Sequence, residues 1–109
     1  MEKIKVGIVG VSGYGGGELA RLLAQHPRVE LTYVTSNTYA GQPLSNALPG
    51  ISPFVALTCE KYDLSAAVDK CDLLFLAGEA GLAMRTAPAL LDAGKKIVDL
   101  SADFRLQDT

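Results

Sequence analysis

Apolar positions along the chain fall into two kinds of segment. Short, nearly unbroken apolar runs occupy residues 4–9, 29–34, 73–76 and 97–100. Runs of this length without strict alternation predict strands buried on both faces. Longer stretches with helical spacing stand between them. Over residues 14–25, Leu19, Leu22 and Leu23 fall at i, i+3 and i+4 and predict a core-facing stripe, with Glu18, Arg21 and Gln25 off it. His26-Pro27 ends that helix, because the residue before a proline is pushed out of the α region. Residues 64–68 predict a short second helix, with Asp63 or Ser65 available as its cap. A third helix is expected over residues 81–93, stopping at Gly94, and Pro88 inside it predicts a kink or two shorter pieces.

Strands that alternate with helices read as βαβ units, whose right-handed crossovers build a parallel sheet covered on both faces. The fold class expected is therefore α/β, a doubly wound parallel sheet. Residues 36–53 do not fit the short connections of such a fold. They hold Pro43, Pro49, Pro53, Gly41 and Gly50 and show no helical period, and no charged residue or histidine occurs from Leu31 to Cys59. Loops of this length are usually functional or disordered. Two roles stay open for it: packing on the sheet edge or another domain, or covering a ligand.

At 109 residues the chain is one domain at most. Ten basic against twelve acidic residues give a net charge of −2, which argues against a broad nucleic-acid footprint while leaving room for a small anion site. No run of about 18 apolar residues suggests a membrane span, and no secretion signal opens the chain. Cys59 and Cys71 form neither a CxxC pair nor a disulfide framework, and no metal site is suggested. A cytoplasmic setting is expected.

The chemistry concentrates after the first strand. Gly10, Gly13 and Gly16 make a G-x-x-G-x-x-G spacing, with Ser12, Tyr14 and Gly15 between them, where the chain passes from strand to helix. Glycines there permit a tight turn, a close approach of backbone to phosphate, and close helix–strand packing. Free N–H groups and the positive helix end then face an anion. A dinucleotide pyrophosphate over Ser12 to Gly16 is the expectation, and a glycine turn without a ligand is its competitor. No Lys-Ser/Thr pair follows, so a nucleotide-triphosphate loop fits poorly.

The end of the second strand bears on which dinucleotide is taken. Sites selective for NAD place a carboxylate there. Glu30 has the spacing but sits at the strand's beginning, whereas Thr35, Ser36, Asn37 and Thr38 stand at its expected end, polar and uncharged. Nothing among them repels a 2′-phosphate, so NADP is favoured over NAD; the alternative is that they simply form a Ser/Thr or Asx turn. No catalytic residue stands out. His26 and Cys71 belong to the amino edge of the sheet, away from where such sheets bind ligands, and both cysteines read as small buried hydrophobes.

The string Gly10-Val11-Ser12-Gly13-Tyr14-Gly15-Gly16-Gly17-Glu18-Leu19, the pairs Thr35-Ser36 and Ala40-Gly41, and Asp99-Leu100-Ser101-Ala102-Asp103-Phe104-Arg105-Leu106 resemble the start of the N-acetyl-gamma-glutamyl-phosphate reductases. Their wider relatives are the aspartate-semialdehyde dehydrogenases and the amino-adipyl reductases of lysine synthesis. The resemblance covers the whole chain. It implies a Rossmann-type dinucleotide-binding domain, here truncated, using NADPH to reduce an acyl phosphate to an aldehyde through a cysteine thioester, with a histidine as acid/base. In that family both catalytic residues lie beyond the position matching Thr109, so none is assigned here and the 109-residue chain alone is expected to be inactive. It further implies cofactor contacts at Ala77, Gly78 and Ser101 and a substrate-phosphate contact at Arg105, whose guanidinium suits phosphate oxygens; a surface salt bridge of Arg105 with Asp103 or Asp108 is the alternative. Where the family often carries Ala-Leu-Pro-His-Gly, this chain has Ala77-Gly78-Glu79-Ala80-Gly81, which removes any side-chain role for that histidine. A homo-oligomer is expected of the full-length protein. The alternatives carried forward are a related aspartyl- or amino-adipyl-phosphate dehydrogenase fragment and a stand-alone dinucleotide-binding regulatory module.

Overall fold

The computed structural model describes residues 3–11, 16–48, 57–77 and 82–100. Four strands, β1 (Ile4–Val9), β2 (Val29–Thr35), β3 (Leu73–Leu76) and β4 (Lys96–Asp99), alternate with helices α1 (Gly16–Ala24), α2 (Leu44–Ala47), α3 (Leu64–Lys70) and α4 (Leu82–Asp92). The strands form one sheet in the order β2-β1-β3-β4, with every pairing parallel. The doubly wound α/β sheet expected from the sequence is the observed fold.

Two apolar layers sandwich this sheet. On one face Ile8, Val34 and Ala77 pack with Ala20, Leu44, Leu48 and Cys59, so α1 and the segment after β2 cover that side. On the other, Val9, Tyr33, Leu74 and Leu76 pack with Ala67, Cys71 and Leu90 from the α3 and α4 side. Each fully buried leucine or isoleucine contributes about 1.5–3 kcal/mol relative to exposure, and these two layers hold the sheet together.

A β-bulge sorts β2 between the layers. Val6 pairs with Leu31 and Gly7 with Tyr33, which leaves Thr32 as the extra residue. Its hydroxyl donates to the Lys70 carbonyl at 2.7 Å. Leu31 can therefore face α1 while Tyr33 faces α3.

Helix positions depart from expectation in three places. Leu22 is 68% exposed, while Ala20 is fully buried and Leu19 and Leu23 pack beside it. At 3.6 residues per turn Leu22 lies about 160° from Ala20, on the outer side of α1. The i, i+3, i+4 match was real but centred one residue off the true stripe. Pro88 does not split α4, which runs as one helix of 11 residues. A proline removes a single N–H; Pro88 is exposed, and Thr86 and Leu90 on either side are buried, holding the helix to the sheet. Residues 36–53 are not without helix either. One turn, α2, forms there, too short for a period to register beyond the single i, i+4 pair of Leu44 and Leu48, both buried.

Asp63 caps α3 as expected, its carboxylate accepting from Ala66 N–H at 2.9 Å. Such a cap is worth about 1 kcal/mol. Gly94 closes α4 at φ +82°. Leu57–Glu60 forms a strap along the outer edge of β2, bridging Thr35 through Glu60 and Pro43 through Thr58. This strap and α2 pack residues 39–48 onto the core, which answers the first of the two roles left open for that loop. No helix among the described residues is long and apolar enough to cross a membrane.

Candidate functional site

Strand order fixes where a ligand would lie. From β1 the chain adds β2 on one side, then crosses over to add β3 and β4 on the other. The reversal opens a crevice at the carboxyl ends of β1 and β3, the place where open α/β sheets bind ligands.

Gly10 is the first residue past β1 and has φ +89°, a conformation that L side chains avoid. Its N–H is shared between the Thr35 carbonyl at 3.2 Å and the Thr35 hydroxyl at 3.0 Å, and Val11 N–H donates to the same carbonyl at 2.8 Å. Buried Thr35 thus fastens the start of the glycine turn to the end of β2. Thr35 is not in the set of site residues expected from the sequence. The signal available was a threonine at the end of β2, next to a turn that needs its donors satisfied.

Past β3, Ala77 N–H donates to the Val9 carbonyl at 2.9 Å, and Ala77 is fully buried in the layer beneath α1. Leu100 N–H donates to the Leu76 carbonyl at 2.8 Å and carries the ladder past β4.

Past β2, Ser36 is buried and its hydroxyl accepts Tyr39 N–H at 3.0 Å, a Ser/Thr turn. Asn37 and Thr38 are exposed at its tip. Glu60, the carboxylate next to Thr35 in the ladder, is engaged by Lys70 at 3.0 Å, and that ammonium sits 5.5 Å from the Tyr33 ring centroid. Tyr33 hydroxyl accepts Asp63 N–H at 3.0 Å and donates to the Lys61 carbonyl at 3.4 Å. Burial raises the pKa of this phenol, with Glu60 and Asp63 adding to the effect and the Asp63 amide opposing it.

The fold therefore brings Gly10, Ser36, Asn37, Thr38, Ala77 and the start of α1 at Gly16 to one edge of the sheet. Ser12, Gly13, Tyr14, Gly15, Gly78, Ser101 and Arg105 lie outside the described residues. The chemistry of that edge is compatible with a phosphorylated dinucleotide. A glycine carries no side chain at the mouth of β1, and the tip past β2 is polar and without a carboxylate.

Neither cysteine is placed for nucleophilic chemistry. Both are buried, and burial pushes both thiols up, for Cys71 partly offset by the Thr32 hydroxyl. A raised pKa suppresses the thiolate that attack requires. His26 is exposed beyond α1 at the amino edge, its Nδ1 accepting Arg28 N–H at 3.1 Å. A groove of about 410 Å³ also opens at the amino edge, over Ile4, Leu73 and Lys96, away from the crevice. Among the described residues no group of three or more His, Cys, Asp or Glu side chains could hold a metal ion.

Fold and crevice together define a doubly wound domain of the nucleotide-binding kind. The profile of the family described as "Semialdehyde dehydrogenase, NAD binding domain" matches residues 5–109, and the chain belongs to that family. It is 50% identical over 107 residues to the N-acetyl-gamma-glutamyl-phosphate reductase of Synechocystis sp., covering 98% of this chain and 30% of that protein. The reductase of the same name from Herminiimonas arsenicoxydans is 52% identical over 97% of this chain, again 30% of its own length. A LysW-L-2-aminoadipate/LysW-L-glutamate phosphate reductase of Saccharolobus solfataricus is 44% identical over 98% of this chain and 30% of its own. The chain thus spans about 30% of the curated relatives it matches. Among solved structures, aspartate semialdehyde dehydrogenase from Candida albicans, determined with NADP, superposes with a TM-score of 0.77 at 21% identity, over 95% of this chain and 31% of that one. GenD2 from gentamicin A biosynthesis, in complex with NAD, gives 0.68 at 24% identity, over 91% and 27%. These likenesses bear out the family resemblance and the fold.

Proposed function

We propose that this chain is the NADP(H)-binding part of an acyl-phosphate reductase that converts N-acetyl-gamma-glutamyl phosphate to N-acetylglutamate semialdehyde in arginine biosynthesis. The 50% identity to the Synechocystis reductase over 98% of the chain carries this reading. Residues 1–109 then form part of a Rossmann-type domain that a longer polypeptide completes. Two observations support this: the relatives' greater length, and β4, which among the described residues pairs only with β3 and leaves Val98 36% exposed.

In this proposal NADPH, when bound, supplies the hydride. The chain's own contribution is to hold and orient it. Backbone N–H groups over Ser12, Gly13, Tyr14, Gly15 and Gly16 face the pyrophosphate at the start of α1. Asn37 and Thr38 offer neutral hydrogen-bonding groups to the 2′-phosphate, and buried Ser36 shapes their turn. The backbone of Ala77, Gly78 and Ser101 is assigned to the nicotinamide side, and Arg105 to the substrate phosphate. The thiol nucleophile and its acid/base partner come from the rest of the polypeptide, because Cys59 and Cys71 are buried with raised pKa values. A cytoplasmic homo-oligomer is the expected form of the complete protein.

The complete protein tests the substrate. Run in reverse, it should form NADPH from N-acetylglutamate semialdehyde, NADP and inorganic phosphate, while the 109-residue chain should form none. Turnover only with a LysW-borne semialdehyde would move the protein to the branch of the Saccharolobus relative. Phosphate-dependent turnover by residues 1–109 alone, lost on Cys59→Ser or Cys71→Ser, would show the nucleophile misplaced.

Cofactor choice has its own test. Asn37→Asp keeps the side chain's shape and adds a negative charge at an exposed tip. It should weaken NADPH binding by about tenfold and leave NADH nearly unchanged, since two exposed charges repel by about 1 kcal/mol or somewhat more at close range. Competition titrations in which the wild type already prefers NADH would remove the NADP assignment.

A further inference from the structure

The start of α1 meets the segment after β2 at Gly17. An ideal Cβ on Gly17, in the first turn of α1, would lie 2.9 Å from Leu48 Cδ2. Leu48 is 8% exposed and packed among Val11, Ala20 and Leu44. A methyl group at position 17 would therefore displace a side chain with little room to retreat.

Leu48 is also tied back, step by step, to the tip that carries Asn37 and Thr38. Its N–H donates to Leu44 carbonyl at 2.9 Å, and Leu44 N–H to Leu57 carbonyl at 2.7 Å. Cys59 N–H donates to Gln42 carbonyl and Gly41 N–H to Cys59 carbonyl, each at 2.8 Å. Gln42 N–H reaches Tyr39 carbonyl at 2.9 Å, and Tyr39 N–H reaches Ser36 hydroxyl at 3.0 Å. These bonds join Leu48 to the Ser36 turn in one continuous set.

We propose that Leu48 is a positioning residue for nucleotide selectivity: by seating against Gly17 it sets the separation between the start of α1 and the Asn37–Thr38 tip. This rests on the proposed function, in which the first holds the pyrophosphate and the second the 2′-phosphate. Both groups hang on the same adenosine ribose, which bounds the distance they can span, so affinity for NADPH depends on that separation. NADH has no 2′-phosphate and depends on it less.

The test uses the complete protein and equilibrium titration with NADPH and with NADH. Gly17→Ala should still fold, because alanine is the better helix former. It should lose about tenfold in NADPH affinity and about twofold or less in NADH affinity, the size expected from overpacking by one methyl. Leu48→Ala, added to it, should restore most of the NADPH-to-NADH ratio by giving the methyl room. Leu48→Ala alone, which frees the tip, should lower the same ratio. An unchanged ratio in Gly17→Ala, or equal losses for both nucleotides, would reduce Leu48 to ordinary core packing and overturn the proposal. A wild-type protein that binds neither nucleotide would instead remove the functional reading beneath it, and the proposal with it.

Discussion

Replacing Gly7 with alanine should destabilise the domain by about 1–3 kcal/mol, the usual cost of forcing a methyl into a packed core. Gly7 lies in the middle strand, paired with Tyr33 on one side and Leu74 on the other. A Cβ there would stand 2.6 Å from Cys71 Sγ, 3.3 Å from the Tyr33 carbonyl oxygen and 3.4 Å from Leu74 Cδ2. Cys71 has little freedom to move. It is 2% exposed, its N–H is bonded to Ala67 carbonyl at 3.1 Å, and its sulfur sits 3.7 Å from the Thr32 hydroxyl at the bulge. Alanine would recover about 0.5–1 kcal/mol of backbone entropy relative to glycine, too little to offset the clash. Against a total of about 5–15 kcal/mol the loss is large. Urea unfolding measures it. The double variant Gly7→Ala/Cys71→Ala should regain a good part of the loss, because the sulfur is the nearest obstacle. Wild-type stability in Gly7→Ala, or no recovery in the double variant, would show that Cys71 does not fill the space above Gly7.

That pairing marks the boundary of what the sequence discloses. The strands were legible because β1 and β3 are short apolar runs, and burial on both faces leaves a signal that needs no partner to interpret. The sense of α1 was legible too, but not its exact rotation. Leu22 outweighs Ala20 in hydrophobicity, yet the sheet admits the small residue and leaves the large one outside. The bulge at Thr32 had no local signal, since its hydroxyl partner, the Lys70 carbonyl, lies 38 residues away. At the carboxyl edge, the positions of Gly10 past β1 and of the uncharged residues past β2 follow from where the apolar runs end. Thr35 was missed because its role depends on the neighbouring strand delivering Gly10 N–H to it. Ser36 was weighed both as a phosphate ligand and as a turn residue, and only its burial and its bond to Tyr39 N–H reveal the turn. Gly17 and Leu48, likewise, are unremarkable until the fold sets one against the other.

The loss of cofactor binding should be largest at Gly10. At φ +89° a valine there is strained whatever space surrounds it, at about 1–3 kcal/mol. Relieving that strain means rotating about the Gly10 N–Cα bond, which disturbs the bonds of Gly10 and Val11 N–H to Thr35 and turns the chain past β1 away from β2. Gly94 separates the two consequences. It has φ +82°, stands at the opposite edge of the sheet, and an added Cβ would meet nothing within 4 Å. Gly94→Val should therefore cost similar stability through backbone conformation alone and leave NADPH binding intact. Gly10→Val should weaken NADPH binding by about a hundredfold, equivalent to about 2.7 kcal/mol, at temperatures where both variants remain folded. Thermal melting without nucleotide fixes those temperatures, and fluorescence titration with NADPH reads the affinity. If Gly10→Val bound NADPH like the wild type, or if Gly94→Val lost as much, the carboxyl edge at β1 would not be where the nucleotide sits.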